Sequence, residues 1–200
     1  GRVEPATVAA MAVVAAEIGR AFPRARLGVN VLKNDARAAL AVAAAAGGRF
    51  IRVNVHAGAV VADQGLVQTD AYHTLRDRRL LGAEVAIFAD VGGKHAMPLV
   101  PVEIEQMARD LVHRGLADAL VVSGRATGEA TPIAKVKRVR GAVPDVPLLV
   151  GSGVTSETVA ELLSVADGVI VGTSIKRDGD VRQPVDPARV EKLVAAARRR

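Results

Sequence analysis

The sequence predicts a parallel TIM-type (β/α)8 barrel, of which six strand-helix units are visible. Six short apolar runs rich in β-formers recur at intervals of 21 to 35 residues. Helical patterns separate them, and strict alternation of strands and helices indicates a parallel sheet with right-handed crossovers. The last two runs stop at glycines next to Ser or Thr, as the final loops of such barrels do.

The six predicted strands are separated by amphipathic helices. A helix at 5–20 opens the chain, and the segments 104–111, 159–166 and 190–197 repeat apolar residues at the i, i+3, i+4, i+7 spacing of a helix that lies on a sheet. Predicted helix starts are Thr131-Pro132, Asp186-Pro187, Asn34 and Thr155. The strands are predicted to begin near Leu27, Phe50, Glu84, Ala119, Pro147 and Gly168.

Side-chain alternation favours a barrel over a doubly wound sheet. In the run FIRVNVH at 50–56, one face is apolar and the other is polar, whereas a doubly wound sheet needs two apolar faces. Alternate strand residues of a barrel face its lumen, and the same alternation holds in three other runs. The predicted luminal residues are Asn30, Arg52, Asn54, His56, Asp90 and Ser123.

Six strands are two fewer than a closed barrel of this kind contains. The visible units would be strands 3 to 8, so the sequence predicts one domain over residues 1–200 that is incomplete at its N-terminus. Two interpretations stay open: an N-terminal truncation, or an open sheet completed by a second copy of the chain. An open sheet would leave two strand edges unpaired, which favours aggregation.

Composition narrows the classes of partner. The formal net charge is +6, but only 2% of residues are aromatic, so there is little to stack on bases and nucleic-acid binding is not expected. A basic rim would instead attract phosphorylated metabolites or an anionic membrane surface. The absence of cysteine agrees with a reducing compartment, and no apolar run is long enough to span a bilayer. We expect a cytoplasmic protein, with peripheral membrane association left open.

The two final strand ends predict a phosphate site. The runs LLVGSGVTSETV (148–159) and GVIVGTSIKRDG (168–179) lie one strand-helix unit apart, so their backbone N–H groups would face one anion. The alternative is that the glycines only permit tight turns. The predicted phosphate-binding residues are Gly151, Ser152, Gly153, Gly172, Thr173 and Ser174.

Candidate catalytic residues follow the third visible strand. Asp90, Lys94 and His95 stand at its C-terminal end, where a carboxylate and a base could exchange a proton with substrate. The alternatives are an ion pair between Asp90 and Arg52 and a Schiff base on Lys94. His56 is a further catalytic candidate, with a buried structural histidine as its alternative.

Three further residues are predicted to contact substrate. Asp63 and Gln64 lie in the loop at 58–65, read as a lid or substrate contact with a plain surface turn as the alternative. Glu129 is the third, and together with Asp90 it could hold Mg²⁺. No tight ligand spacing supports a metal, so no cofactor is assigned and Mg²⁺ stays an open alternative.

Five runs of the chain together resemble the BtpA/SgcQ family from about Pro5 onward. This resemblance implies a barrel of the ribulose-phosphate-binding type whose first two strands are absent here, which favours truncation. The family pattern DVxxKHA matches at Asp90, Lys94 and His95 but has a bulkier residue where this chain has Gly92. The runs are LGVNVLKNDARAALAVAAAAGGRFIRVNVHAGAVVADQG, IFADVGGKHA, LADALVVSGRATGE, VPLLVGSGVTSETVAELL and ADGVIVGTSIKRDG.

The resemblance leaves several functions open. The family takes its name from a cyanobacterial relative implicated in photosystem I biogenesis, but other members occur without a photosystem, so small-molecule chemistry is the more economical shared function. The leading hypothesis is a lyase, isomerase or transferase acting on a sugar phosphate or related ester. The alternatives are a non-catalytic assembly factor that docks on a membrane complex through basic residues 135–140, and a pseudoenzyme that senses a phosphorylated ligand.

Overall fold

Six parallel strands curl into a half-barrel with helices packed on its outer face, which confirms the predicted fold class. The computed structural model describes residues 2–62, 65–92, 96–124 and 130–198. The strands lie in the sheet in chain order, and each neighbouring pair is parallel. They are β1 (Gly28–Val29), β2 (Phe50–Val53), β5 (Ala86–Val91), β7 (Ala119–Ser123), β8 (Leu148–Gly151) and β9 (Gly168–Ile170).

The helices follow the predicted alternation. Asp35 and Asp186 cap α2 and α7 by accepting backbone N–H bonds two or three residues further on, so the predicted start at Asp186-Pro187 is confirmed. The predicted caps Asn34 and Thr131 are wrong because their side chains bond elsewhere. Thr155 caps the turn that leads into α6: its hydroxyl accepts from the Glu157 N–H at 3.3 Å and its carbonyl accepts from the Val159 N–H at 3.0 Å. The helices are α1 (Pro5–Ala21), α2 (Ala36–Ala46), α3 (Ala71–Leu80), α4 (Ile104–His113), α5 (Ile133–Ala142), α6 (Val159–Leu163) and α7 (Pro187–Ala197).

A second, antiparallel sheet is inserted after β2 and β5, and the sequence analysis did not predict it. It consists of β3 (Ala59–Ala62), β4 (Gly65–Gln68) and β6 (Ala96–Pro98), in the order β4-β3-β6. We name these three strands the cap sheet. Part of the segment interpreted as a lid or turn at 58–65 is therefore strand.

The core lies between the six-stranded sheet and the helices. Alternate strand residues are buried there and the central strand β7 is buried throughout, whereas β9 is only half-buried. Within the described strands, none pairs with the outer edge of β1 or of β9. Packing is therefore looser at the β9 edge than at the centre of the sheet. The largest fully buried strand side chains are Ile51, Ile87, Leu120 and Leu148.

An aromatic pair occupies the concave face of the half-barrel. The rings of Phe50 and Phe88 stack with their centroids 4.4 Å apart. On the neighbouring strand, Gly28 faces Phe50, and a Cβ atom there would lie 2.1 Å from Cε2 of that ring. A larger residue at position 28 would therefore displace the Phe50 ring. The ring pair forms an apolar layer two residues along the strands from Arg52 and Asp90.

Most basic residues of α5 bind within the chain. The Lys135 ammonium donates to the backbone carbonyl of Ser123, Arg138 pairs with two glutamates near the start of α4, and Arg140 pairs with Asp167. These contacts engage three of the basic residues of the predicted docking face at 135–140, and docking by that face stays a prediction. Along the ranges that the structure describes, no helix is long and apolar enough to cross a bilayer.

We expect Leu120→Ala to lower the free energy of unfolding by about 2–5 kcal/mol, because it opens a cavity at the centre of the sheet. Leu80→Ala is the matched control: this leucine, at the end of α3, is 79% exposed, so the expected change is under about 0.5 kcal/mol. Denaturant unfolding measures both. Equal losses would contradict the assignment of the core.

Candidate functional site

Four of the predicted luminal residues form one hydrogen-bonded network. The Asn30 amide donates to the Arg52 carbonyl at 2.8 Å and to Asn54 Oδ1 at 3.2 Å. Asn54 Nδ2 donates to Asp90 Oδ2 at 2.9 Å. The Arg52 guanidinium donates to both oxygens of Asp90, from Nε at 2.7 Å and from Nη2 at 2.9 Å. Side chains on β2 and β5, and on the residues just after β1 and β2, thus meet on one face, as the alternation predicted.

The pair of Arg52 and Asp90 is largely withdrawn from water. The side chain of Asp90 is 2% exposed and that of Arg52 is 19% exposed. Both carboxylate oxygens already accept hydrogen bonds, which is the geometry of the ion-pair alternative. A role for Asp90 in proton transfer stays a prediction, because the carboxylate would have to give up one of these bonds.

Two buried hydroxyl groups flank the end of β8. Ser123 ends β7 beside Gly151, and Ser152 follows that glycine. The hydroxyl oxygens of both serines are buried and have no hydrogen-bond partner within the described residues. A Cβ atom at position 151 would lie 3.1 Å from Ser123 Oγ and 3.9 Å from Arg52 Nη2, so this glycine keeps the space between them open.

The two glycine loops lie next to each other, as predicted. Strands β8 and β9 are parallel neighbours, with Gly151 paired to Ile170. Ser174 Oγ donates to the backbone carbonyl of Val154 at 2.6 Å and so joins the second loop to the first. Ser152 has a φ of 70°, in the left-handed region, where backbone N–H groups can turn toward a bound anion. Phosphate binding by these loops, including Gly153, Gly172 and Thr173, stays a prediction.

His56 does not join the luminal network, so its predicted place beside Arg52 and Asn54 is wrong. Strand β2 ends at Val53 and the backbone bends, so the alternation does not extend to position 56. The ring is 1% exposed, and Nε2 donates to the backbone carbonyl of Gly115 at 2.8 Å. His56 is a buried structural histidine beyond the end of α4.

Burial lowers the pKa of His56 below its ordinary value of 6.5. The bond to Gly115 and the charge of Asp118 oppose this shift, while the charge of Arg78 adds to it. A carbonyl can only accept, so Nε2 carries the proton of the neutral ring. The buried Nδ1 has no partner among the described residues.

Several predicted site residues lie outside the described residues: Asp63, Gln64, Lys94, His95 and Glu129. Within the described ranges, no three acidic, histidine or cysteine side chains gather as metal ligands. The Mg²⁺ alternative depends on Glu129 beside Asp90, so it stays a prediction.

Sequence reasoning missed a cavity of about 230 Å³ beneath the cap sheet. We name it the cap pocket. Asn54 and Asp90 line one part of it, and the cap sheet, α4 and the segment between β6 and α4 supply apolar walls. The apolar run MPLVPV at 97–102 was the available signal, since such a run between a strand and a helix is unusual for a solvated loop. Its main apolar lining residues are Val60, Leu99, Val100, Val102 and Met107.

We expect Arg52→Met to lower the free energy of unfolding by about 3–5 kcal/mol, because it leaves the buried Asp90 carboxylate without its cation. The double variant Arg52→Met/Asp90→Leu removes both charges and should be close to the wild type. Denaturant unfolding of the double-mutant cycle gives the coupling energy. Additive single losses would show that the two residues do not act as a pair.

We expect the protein to lose stability as the pH falls below about 6.5, in part because His56 is neutral when folded and protonates more readily when unfolded. As the pH falls, His56 takes up a proton in the unfolded state before it does so in the folded state. Its contribution to the free energy of unfolding is therefore complete above the unfolded-state pKa and is lost as the pH falls toward the lower folded-state pKa. His56→Gln should flatten the dependence between pH 7 and 5. His113→Gln, at an exposed histidine, is the control, and equal slopes in both variants would refute the assignment.

Solved structures share the fold of the chain at low sequence identity. Thiamine phosphate pyrophosphorylase from Pyrococcus furiosus matches with a TM-score of 0.61 and 14% identity, over 99% of this chain and 80% of that one. Phosphoribosyl anthranilate isomerase from Thermus thermophilus matches with a TM-score of 0.62 and 15% identity, over 92% of this chain and 78% of that one. These likenesses show a TIM-barrel type of architecture.

Other proteins share a larger fraction of identical residues with this chain than these structures do. The photosystem I biogenesis protein BtpA of Synechocystis is 40% identical over 195 residues, which is 98% of this chain and 68% of the relative. The sgc region protein SgcQ of Escherichia coli K12 is 38% identical over 196 residues, or 96% and 71% of the two chains. The sequence profile of the BtpA family matches residues 1–199. This chain therefore belongs to the BtpA family.

Proposed function

We propose that the protein binds a small phosphorylated metabolite at the ends of β8 and β9 and catalyses lyase, isomerase or transfer chemistry on it. The observation that carries the proposal is the pair of buried hydroxyls of Ser123 and Ser152, which have no partner within the described residues. An unsatisfied buried polar group costs about 1–3 kcal/mol. In this proposal, ligand oxygens accept from these hydroxyls and remove that cost.

A phosphate suits this position for two further reasons. In barrels of this kind, the loops after the last two strands supply backbone N–H groups to a phosphate. A net charge of +6 favours the approach of an anion. Two structural neighbours carry a phosphate or phosphoribosyl group in their names, but at 14% and 15% identity they support the fold and not the ligand.

The luminal network would orient the reacting end of the metabolite. Asp90 fixes the Arg52 guanidinium, whose remaining N–H groups can donate to a carbonyl or hydroxyl oxygen of the ligand. Asn30 and Asn54 hold that pair in place. The proton-transfer groups in this proposal are Asp90, Lys94 and His95, and His56 has no part in it. A base would take a proton from a substrate carbon while a cation stabilises the charge on the adjoining oxygen.

We expect Ser152→Ala and Ser123→Ala each to weaken the binding of a sugar phosphate about tenfold or more, since a hydrogen bond to a charged group contributes about 1.5–3 kcal/mol. Calorimetric titration with a panel of sugar phosphates measures this. Ser156→Ala is the control, because its hydroxyl already donates to Glu157. Binding of no phosphate ester, or an equal loss in the control, would contradict the proposal.

The name of the Synechocystis relative favours a second candidate, a non-catalytic assembly factor for a membrane complex. The contacts of α5 within the chain argue against that helix as the docking face. Complementation of a strain lacking the relative would separate the two candidates. If Ser152→Ala loses phosphate binding but still restores assembly, the second candidate is favoured.

A further inference from the structure

We propose that the phosphorylated ligand has an apolar end, and that the cap pocket receives it. The inference deepens the proposed function and rests on it, since it assigns the ligand's second half. Phosphate would bind at the ends of β8 and β9, and a ring or branched hydrocarbon would lie beneath the cap sheet.

The cap sheet has an inner and an outer face. Val60 and Val61 are neighbours on β3, but Val60 is 6% exposed and lines the pocket, whereas Val61 is 49% exposed and does not line it. Because successive strand residues point to opposite faces, the sheet covers the pocket with its buried side. Strands β3 and β6 come from the insertions after β2 and β5. They pair antiparallel and so join the two insertions into one sheet.

The pocket is continuous with the polar network. Asn54 and Asp90 line it, and the same side chains hydrogen-bond to each other at 2.9 Å. The rest of the lining is mainly apolar, from Val60 on the cap sheet, Val102 before α4 and Met107 on α4. A ligand with one polar and one apolar part fits this division, because each part meets surface of its own kind.

The volume is sufficient for a small ring. An apolar cavity of about 150 Å³ in another protein accommodates benzene. The cap pocket has about 230 Å³, so a substituted six-membered ring or a branched chain of similar size would fill it. A bare three- or four-carbon sugar phosphate would leave its apolar walls without contacts.

The spacing of the strands sets the length of the ligand. Asp90 lies on β5 and Gly151 on β8, with β7 between them. Two interstrand spacings of about 4.8 Å, together with an offset of two residues of about 3.3 Å each along the strands, separate the two positions by about 12 Å. A chain of about ten bonds spans that distance. The middle of such a ligand would lie near the Arg52 guanidinium. Its Nη2 atom is 3.9 Å from where a Cβ atom would stand at position 151.

The test uses a series of n-alkyl phosphates from methyl to dodecyl, titrated calorimetrically below their micellar concentrations. Methyl phosphate measures the phosphate site alone. Affinity should stay nearly constant for short chains and rise about fourfold per methylene once the chain reaches the pocket. No rise with length, while methyl phosphate still binds, would overturn the inference and leave the phosphate site standing.

Two variants block the pocket and one serves as control. Val60→Trp fills it from the cap sheet, and Val102→Trp fills it from a half-exposed position where a larger side chain endangers folding less. Both should abolish the gain with chain length and leave the affinity for methyl phosphate unchanged. Val61→Trp places the same side chain on the outer face and should retain the gain. A loss in Val61→Trp equal to that in the blocking variants would overturn the inference.

The remaining outcomes separate the two proposals. If dodecyl phosphate binds and Val60→Trp or Val102→Trp prevents it, while methyl phosphate does not bind, the apolar pocket is supported and the phosphate site is refuted. If no ester of any length binds, both are refuted.

Discussion

The parallel register of the six strands is the constraint on which the rest of the structure depends. Because all six run the same way, their carboxyl ends lie at one edge of the sheet. Residues distant in sequence, such as Asn30, Asp90 and Ser123, are thereby placed on one concave face. The opposite face takes the apolar half of each strand and packs on helices. One alternation of polar and apolar residues thus specifies both the core and the candidate site.

The buried ion pair of Arg52 and Asp90 follows from that arrangement. A half-barrel with helices on one face must fill its concave side, and the stacked rings of Phe50 and Phe88 do so on one level. Charged groups occupy the next level, where their desolvation is offset only because both carboxylate oxygens accept donors. The groups of this network satisfy one another's hydrogen bonds, whereas the hydroxyls of Ser123 and Ser152 are unsatisfied within the described residues. In the proposed function, the network positions the ligand and the hydroxyls bind it.

Sequence reasoning succeeded within the regular strands of the main sheet and failed where the chain leaves them or where strands are very short. The two-residue period of FIRVNV placed Arg52 correctly, but the extrapolation to His56 went past the end of β2 at Val53. The cap sheet was missed because its strands are only three or four residues long. Strands β3 and β4 form a local hairpin, whereas β3 also pairs with β6 far along the chain, as Val61 does with Met97. Asn34 looked like a helix cap, but its amide instead bonds both backbone groups of Val55, and Asp35 caps the helix.

The most direct test of the central claim is a titration with inorganic phosphate followed by ¹⁵N-¹H correlation spectra. If the ends of β8 and β9 hold the anion, the backbone amides of Ser152, Gly153 and Thr173 should show the largest, saturable shifts. The amides of the cap sheet should move little, since inorganic phosphate has no apolar part. Saturable shifts confined to basic helix surfaces, such as around Arg76 and Arg79, or no saturable shift at all, would contradict the account.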